Sequence, residues 1–296
     1  MPNTLRAKDV QAALLELADE EKAKHLARFF KTGPGEYAEG DVFWGIQVPS
    51  QRAVAARFSG LPLGEVKKLL VAKVHEQRLV ALLILVRQFE RGDSTLRREI
   101  VELYVTHTKY VNNWDLVDSS APQILGAWLV EESDTNSTRA RAALAQLNRL
   151  AASSWLWDRR IAMVSTYAFI RAGRHEEATL LAERLLDDSH DLMHKAVGWM
   201  LREVGKRVDR KHLLAFLELH AARMPRTALR SAIEHLPEGE RKAWLAVERA
   251  PSKASSTSRK KNLPAGSRAR AAGESKIGRA ANGRGKAPLA GRSSVR

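Results

Sequence analysis

A small set of side chains in this chain has the types and spacing to act on one reacting centre. In Val111-Asn112-Asn113-Trp114-Asp115-Leu116-Val117-Asp118, a tryptophan and a carboxylate stand four residues apart. That spacing puts both on one face of a helix near its first turns. Asn113 is a natural N-cap for that helix, and Leu116 and Val117 then turn toward a core. A second tryptophan, Trp199, follows the basic Lys195 by four residues, and Leu156-Trp157-Asp158-Arg159-Arg160 brings two arginines to a helix start. Indole faces attract cations by about 0.5–2 kcal/mol. A carboxylate stabilises developing positive charge and orders a water. Taken together, the set suits a reaction that passes through a cation. Taken singly, each member has a plainer reading: a helical tryptophan packs in a core, and an aspartate caps a helix or pairs with a cation.

Other chemistries find no footing. The chain has no cysteine, which excludes a disulfide scaffold, an iron–sulfur cluster, a thiolate zinc site and a cysteine nucleophile. His190 and His194 are four apart, but the residues between them are Asp191-Leu192-Met193 and no third ligand is apparent, so they do not make a zinc hydrolase motif. Gly33-Pro34-Gly35 lacks the Lys-Ser/Thr ending of a phosphate loop and reads as a turn. No serine motif of an acyl-transfer elbow is present. The expectation is therefore catalysis, if any, without metal or cofactor. No apolar run is long enough to span a membrane, and the charged N-terminal stretch lacks the apolar core of a signal peptide. A cytoplasmic, monomeric protein is expected.

The elements that must position these residues read as helices throughout. Apolar residues recur at three- and four-residue steps, with no convincing period of two. Val10, Leu14, Leu17 and Ala18 form one stripe; Val66, Leu69, Leu70, Lys73 and Val74 form another, with a lysine in it that can snorkel. Leu79 to Val86 is apolar at eight consecutive positions. Val74 to Phe89 holds neither Gly nor Pro, so a central buried helix is expected there rather than a strand. Breakers at Gly60-Leu61-Pro62, Gly92-Asp93-Ser94, Gly173-Arg174, Asp187-Asp188-Ser189 and Pro237-Glu238-Gly239 mark hairpin turns, and Ser133–Asn136 reads as a loop. Arg160, Lys195 and Arg230 lie 35 residues apart, each near the start of an apolar helix. Arg78 and the helix near Trp114 are earlier members with looser spacing. Two-helix units of this length stack into an α-solenoid of HEAT type. The fold class is accordingly all-α, with a basic stripe on one concave face suited to a phosphate backbone.

Charge is unevenly distributed. Of the net +15, residues 251–296 carry +11, with 12 Lys+Arg against the single acid Glu274, while residues 1–250 hold 37 basic and 33 acidic residues. The tail has no aromatic residue, so it is expected to be disordered and to bind a polyanion without sequence preference. The expected organisation is a helical-repeat domain at 1–250 and a Lys/Arg-rich tail at 251–296.

A resemblance emerges from several short strings in order. Trp114-Asp115-Leu116-Val117-Asp118, Trp157-Asp158-Arg159-Arg160-Ile161-Ala162 and Lys195-Ala196-Val197-Gly198-Trp199-Met200-Leu201-Arg202-Glu203 resemble segments of the AlkD family, bacterial DNA alkylation-repair glycosylases built from HEAT-like repeats. Phe43-Trp44-Gly45-Ile46-Gln47-Val48-Pro49 resembles that family's N-terminal Gly-Ile-Gln-(Thr/Val)-Pro segment. Thr227 to Leu236 resembles its last repeat. The likeness covers roughly residues 10–245. Thr32–Gly40 is longer than in the founding member, and Phe29 stands where that member has a tyrosine, so no hydroxyl is available there for a DNA contact.

The resemblance implies hydrolysis of the N-glycosidic bond of cationic N3- or N7-alkylated purines in duplex DNA, in a bacterial, nucleoid-associated setting. Asp118 would be the catalytic carboxylate, Trp114 and Trp199 the aromatic walls against the deoxyribose, and Arg160 a basic residue at the site that holds a phosphate. Gln47 would face DNA. From repeat position and charge, Arg160, Lys195, Arg202, Lys206 and Arg230 are the further DNA-binding candidates. A cationic purine leaves without protonation, so the enzyme must stabilise an oxocarbenium ion and place a water. No lysine near Asp118 is marked for a Schiff base, so a monofunctional enzyme is expected. The lesion is expected to stay largely within the duplex, without a deep base-shaped pocket. The alternative is a non-catalytic HEAT-like module that binds branched or damaged DNA, or a protein; the presence of Trp114, Asp118, Arg160 and Trp199 together favours the enzyme.

Overall fold

Asp19 illustrates how the chain sets its own punctuation: its carboxylate accepts the Lys22 N–H at 3.0 Å and so starts a helix. The computed structural model describes residues 5–134 and 138–249. Among them the regular elements are helices, with one isolated parallel bridge between Val42 and Val74 and no strand. The first half runs α1 (Ala7–Leu15), α2 (Glu20–Phe29), α3 (Val48–Arg57), α4 (Leu63–Leu70), α5 (His75–Arg91), α6 (Ser94–Thr106) and the short α7 (Trp114–Asp118). A π-helical turn at Pro122–Gly126 leads into α8 (Ala127–Asp134). The second half runs α9 (Thr138–Ala151), α10 (Leu156–Ser165), α11 (Tyr167–Arg171), α12 (Glu176–Leu185), α13 (Asp191–Arg207), α14 (Arg210–His220), α15 (Arg226–Ala232) and α16 (Glu238–Ala246). Every breaker named from the sequence lies between two helices or at a helix start.

The expected central helix is α5, buried continuously from His75 to Leu85. It packs against α3, α4, α6, α7 and the π-helical turn. Further along, α10 packs on α9 and α13, and α13 on α14 and α15. Helices thus stack on near neighbours in sequence, as a helical-repeat solenoid requires. The 35-residue recurrence is real: α10, α13 and α15 begin at Leu156, Asp191 and Arg226, and Arg160, Lys195 and Arg230 are each the fifth residue of their helix. The fifth residue of α7 is Asp118. A carboxylate therefore occupies, one unit earlier, the register that basic residues hold afterwards.

Several expectations need correction. Leu17 does not continue the first stripe; α1 stops at Leu15, and Leu17 is exposed because Asp19 starts α2 almost at once. α4 ends at Leu70, so Lys73 and Val74 lie beyond it. Ser133 belongs to α8 rather than to a loop, while 135–137 lie outside the described residues. Arg78 is no member of an exposed basic stripe: it is buried and its Nη2 pairs with Asp41 at 2.7 Å. Arg230 is also in the last turn of α15, because that helix has only seven residues. The expected tail at 251–296 lies outside the described residues.

Gly45 shows why the Gly-Ile-Gln string takes its form. Its φ of +81° is left-handed, and a Cβ there would lie 2.0 Å from the Asp19 carbonyl oxygen, so only glycine fits. The buried Glu76 carboxylate accepts the N–H groups of Trp44, Gly45 and Ile46 at 3.1, 2.9 and 3.2 Å. Ile46 enters the core, and Gln47 stands exposed at the start of α3 with Pro49 in its first turn.

Candidate functional site

The site is built on α7. Asn113 is fully buried at its N-cap and accepts the Trp114 N–H at 2.8 Å. Leu116 and Val117 are sealed in the core, which fixes the roll of this short helix and leaves Trp114, Asp115 and Asp118 on its other sides. Trp114 is half-buried; Phe30 stacks on it at 5.3 Å and Phe29 meets it edge-on at 6.0 Å.

Asp118 is held by Arg160 in a two-pronged contact, Nε to Oδ1 at 3.1 Å and Nη2 to Oδ2 at 2.8 Å. The Arg160 side chain is 5% exposed, while that of Asp118 retains 21%. Nη1 of Arg160 donates to the Leu192 carbonyl at 2.5 Å. The guanidinium therefore clasps α7 to the first turn of α13, the helix that carries Lys195 and Trp199. Burial raises the Asp118 pKa above the ordinary carboxylate value; Arg160 opposes that shift and the neighbouring Asp115 charge adds to it. This is a carboxylate oriented by a planar fork, with part of its surface still open.

The other expected residues fall as follows. Trp199 is half-buried on α13 with Tyr167 at 6.0 Å. Its predecessor Gly198 lets α13 approach α15, since a Cβ there would meet the Ala228 carbonyl oxygen at 2.4 Å. Lys195 is exposed and pairs with Asp191 at 2.9 Å. Arg202 bonds Glu203 at 3.1 Å and Glu234 at 2.5 Å, and Lys206 beside it is exposed. Arg202 and Lys206 line a cleft of about 260 Å³ with Arg210 and His235. Arg230 and Gln47 are exposed. The structure thus joins Asp118 directly to Arg160 and links that pair to the start of α13, while Gln47, at the start of α3, lines a recess together with Asp115 of α7. His190 caps α13 through Nδ1, which accepts the Leu192 N–H at 3.1 Å, and His194 bonds the Asp188 carbonyl.

Two features escaped the sequence reading. Tyr37, the one aromatic residue in the Thr32–Gly40 stretch, lies edge-on to Trp157 at 5.9 Å. Burial raises its phenol pKa, and the Trp114 side chain opposes that shift. The second feature is a buried ionic cluster behind α7. His75 Nε2 lies 2.8 Å from Asp115 and its Nδ1 lies 3.1 Å from Asp41, which Arg78 also engages. Burial pushes the His75 pKa down, but Asp115 and Asp41 outweigh it and hold it at about 9. His75 is therefore a cation at neutral pH, donating from both ring nitrogens. Burial likewise pushes Asp41 up, and His75 with Arg78 holds it below the usual range. Nothing local in the sequence announces this cluster, because Asp41, His75 and Asp115 come from three distant segments.

A cavity of about 540 Å³ lined by residues such as Phe89, Arg97, Gln123 and Ala168 shares no residue with this set. The fold and site define a class: an all-α helical-repeat protein with an arginine-clasped carboxylate beside a half-buried indole. A family model described as DNA alkylation repair enzyme matches residues 10–236, and the chain belongs to that family. Among solved structures, it is similar to a predicted DNA alkylation repair enzyme from Enterococcus faecalis. That likeness has 18% identity and a TM-score of 0.56, covering 75% of this chain and 97% of the other. No curated protein sequence matches.

Proposed function

We propose that this protein is a monofunctional DNA glycosylase, built from HEAT-like repeats, that hydrolyses the N-glycosidic bond of cationic N3- and N7-alkylated purines in duplex DNA during base excision repair. The observation that carries the reading is the Asp118 carboxylate, clasped by Arg160 yet 21% exposed beside Trp114. A positively charged alkylpurine is already a good leaving group, so the demand falls on the sugar. Asp118 stabilises the oxocarbenium ion at C1′ and orders the attacking water. Trp114 and Trp199 present aromatic faces to the cationic sugar and base. Arg160 is assigned as the residue that positions Asp118 rather than as a phosphate clamp, because Nε, Nη1 and Nη2 each have a partner within the protein. No step calls for a metal or cofactor.

Lys195, Arg202, Lys206 and Arg230, with Gln47 from α3, are proposed to meet the DNA backbone. Exposed cations supply affinity by releasing counterions, and the basic stretch 251–296 would add affinity without sequence preference. The setting is the bacterial cytoplasm, on the nucleoid, as a monomer.

A second reading draws on the same clasp. Both oxygens of Asp118 are engaged by Arg160, as in a structural ion pair, and a non-catalytic module for branched or damaged DNA would keep such a pair. One experiment separates the two. Purified protein is incubated with duplex DNA carrying a single N7-methylguanine, and free base is measured beside an Asp118→Asn variant. Release by the wild type alone supports the glycosylase. No release from this or an N3-methyladenine duplex, with tight DNA binding intact, supports the binding module.

A further inference from the structure

The turn between α12 and α13 and the first turn of α13 carry two histidines that the proposed chemistry leaves unused. His190, half-buried, is the N-cap of α13, and its Nδ1 accepts the Leu192 N–H at 3.1 Å. The carbonyl of the same residue reaches the proposed site. It accepts Nη1 of Arg160 at 2.5 Å, and that guanidinium grips Asp118 through Nε and Nη2. A line of hydrogen bonds, joined through the Leu192 backbone, therefore runs from His190 to Arg160 and on to Asp118. The turn itself is braced from both sides. The Asp188 carboxylate takes Nε of Arg159 at 2.6 Å and the His190 N–H at 2.9 Å, and the Asp188 carbonyl meets Nε2 of His194 at 2.6 Å. His190 thus stands on a fixed turn, with its ring nitrogen set against the one residue that anchors the clasp to α13.

We infer that His190 is a positioning residue for the Arg160–Asp118 clasp and that it makes the clasp sensitive to acid. Helix caps of this kind are ordinarily Ser, Thr, Asn or Asp, and their oxygens accept at neutral and mildly acidic pH alike. An imidazole accepts only through a nitrogen that carries no proton, and both nitrogens of an imidazolium are donors. Protonated His190 therefore sets N–H against N–H. The first turn of α13 then loses its cap, and the Leu192 carbonyl is no longer held where Arg160 meets it. Burial disfavours the charged ring, as do Arg159 from α10 and His194 from α13. Asp188 in the turn and Asp191 on α13 favour it, and the balance leaves the His190 pKa below the ordinary histidine value. At neutral pH the ring is neutral and the cap is made; as pH falls through that lowered pKa the clasp loosens. The effect on base release rests on the glycosylase reading, whereas the hold on Arg160 does not.

The test uses the full chain. His190→Ala removes the acceptor and is expected to lower the single-turnover rate of base release at neutral pH about tenfold, inside the ~100-fold that a misplacement of about 1 Å can cost. The dissociation constant for undamaged duplex is expected to stay nearly unchanged. His190→Asn caps without titrating; it is expected to recover most of the lost rate and to hold it to lower pH than the wild type does. A second readout needs no substrate: the NMR order parameter of the Arg160 Nε–H, which reports how firmly the guanidinium is held. It is expected to drop in the wild type as pH falls below neutrality, to be low throughout in His190→Ala and to stay high in His190→Asn. Thermal unfolding checks that the variants are folded; should His190→Ala fail to fold, the wild-type titration set against His190→Asn decides. A wild-type rate in His190→Ala, a wild-type acid limb in His190→Asn, or an Arg160 order parameter that ignores pH and both substitutions overturns the inference. If the wild type releases no base, the glycosylase reading fails and the order parameter still decides the role of His190.

Discussion

Asp115 and Asp118 sit three residues apart on one five-residue helix and meet opposite environments. Asp115 points back to a buried imidazolium, His75, whose other ring nitrogen meets Asp41, itself paired with Arg78. Asp118 points to Arg160, a guanidinium from the next repeat, and keeps 21% of its surface open, against 12% for Asp115. The first arrangement is closed and holds three chain segments together. The second is open on one side and leaves a carboxylate whose charged form burial disfavours. Fixing a short helix by one buried carboxylate lets its neighbour be held ready for a ligand.

The sharpest way to break that contrast is Asp118→Asn, which keeps the shape and removes the charge. Base release is expected to fall by about 100- to 1,000-fold, with the dissociation constant for undamaged DNA nearly unchanged in a filter-binding assay. On the Asp115 side, His75→Leu leaves Asp115 without its cation and Asp41 with Arg78 alone. Urea unfolding should show a loss of about 3–5 kcal/mol. The same cluster gives a pH signature in the wild type. The His75 pKa is raised from 6.5 to about 9, so its stabilisation is complete below pH 6.5 and is lost as pH rises through 9. That loss is of order 3 kcal/mol, and its persistence in His75→Leu would assign the pH dependence to another group.

Smaller effects sharpen the comparison. With the Asp118 pKa raised, the acid limb of kcat/KM should fall at a pH above the ordinary aspartate value of about 3.9; a limb at or below that value would leave Asp118 out of the chemistry. Trp199→Ala should slow excision of a cationic lesion by roughly two- to thirtyfold, the span of a cation–π contact, and leave the stability at the His75 cluster untouched. Smallest is Lys206→Ala, which should lower the salt dependence of DNA binding by about one unit without altering single-turnover release.

Much of this was legible because it is local. Eight consecutive apolar residues without Gly or Pro are enough to identify α5, and a 35-residue recurrence of basic residues reflects helices that begin 35 residues apart. Asn113 as a cap, and Leu116 and Val117 as anchors, follow from helix geometry alone. Arg78 was misplaced because its burial depends on Asp41, a partner no periodicity reveals. For Arg160 the resemblance implies a phosphate, and charge and helix position show a cation; neither shows the distant carboxylate that its guanidinium engages. Tyr37 was passed over inside a glycine-rich stretch that looks like a simple turn until Trp114 and Trp157 are seen beside it.

The clasp that Arg160 makes on Asp118 and on the Leu192 carbonyl also bears on how such a chain can diverge. Repeat proteins lengthen by duplicating units, and most of their interior tolerates it. Here a unit inserted between α7 and α13 would carry the guanidinium out of reach of one partner or the other. Growth and loss are therefore confined to places that leave this span in register, such as the Thr32–Gly40 stretch ahead of it or the region after α15. The lineage could gain length at its ends while the middle stayed fixed in number.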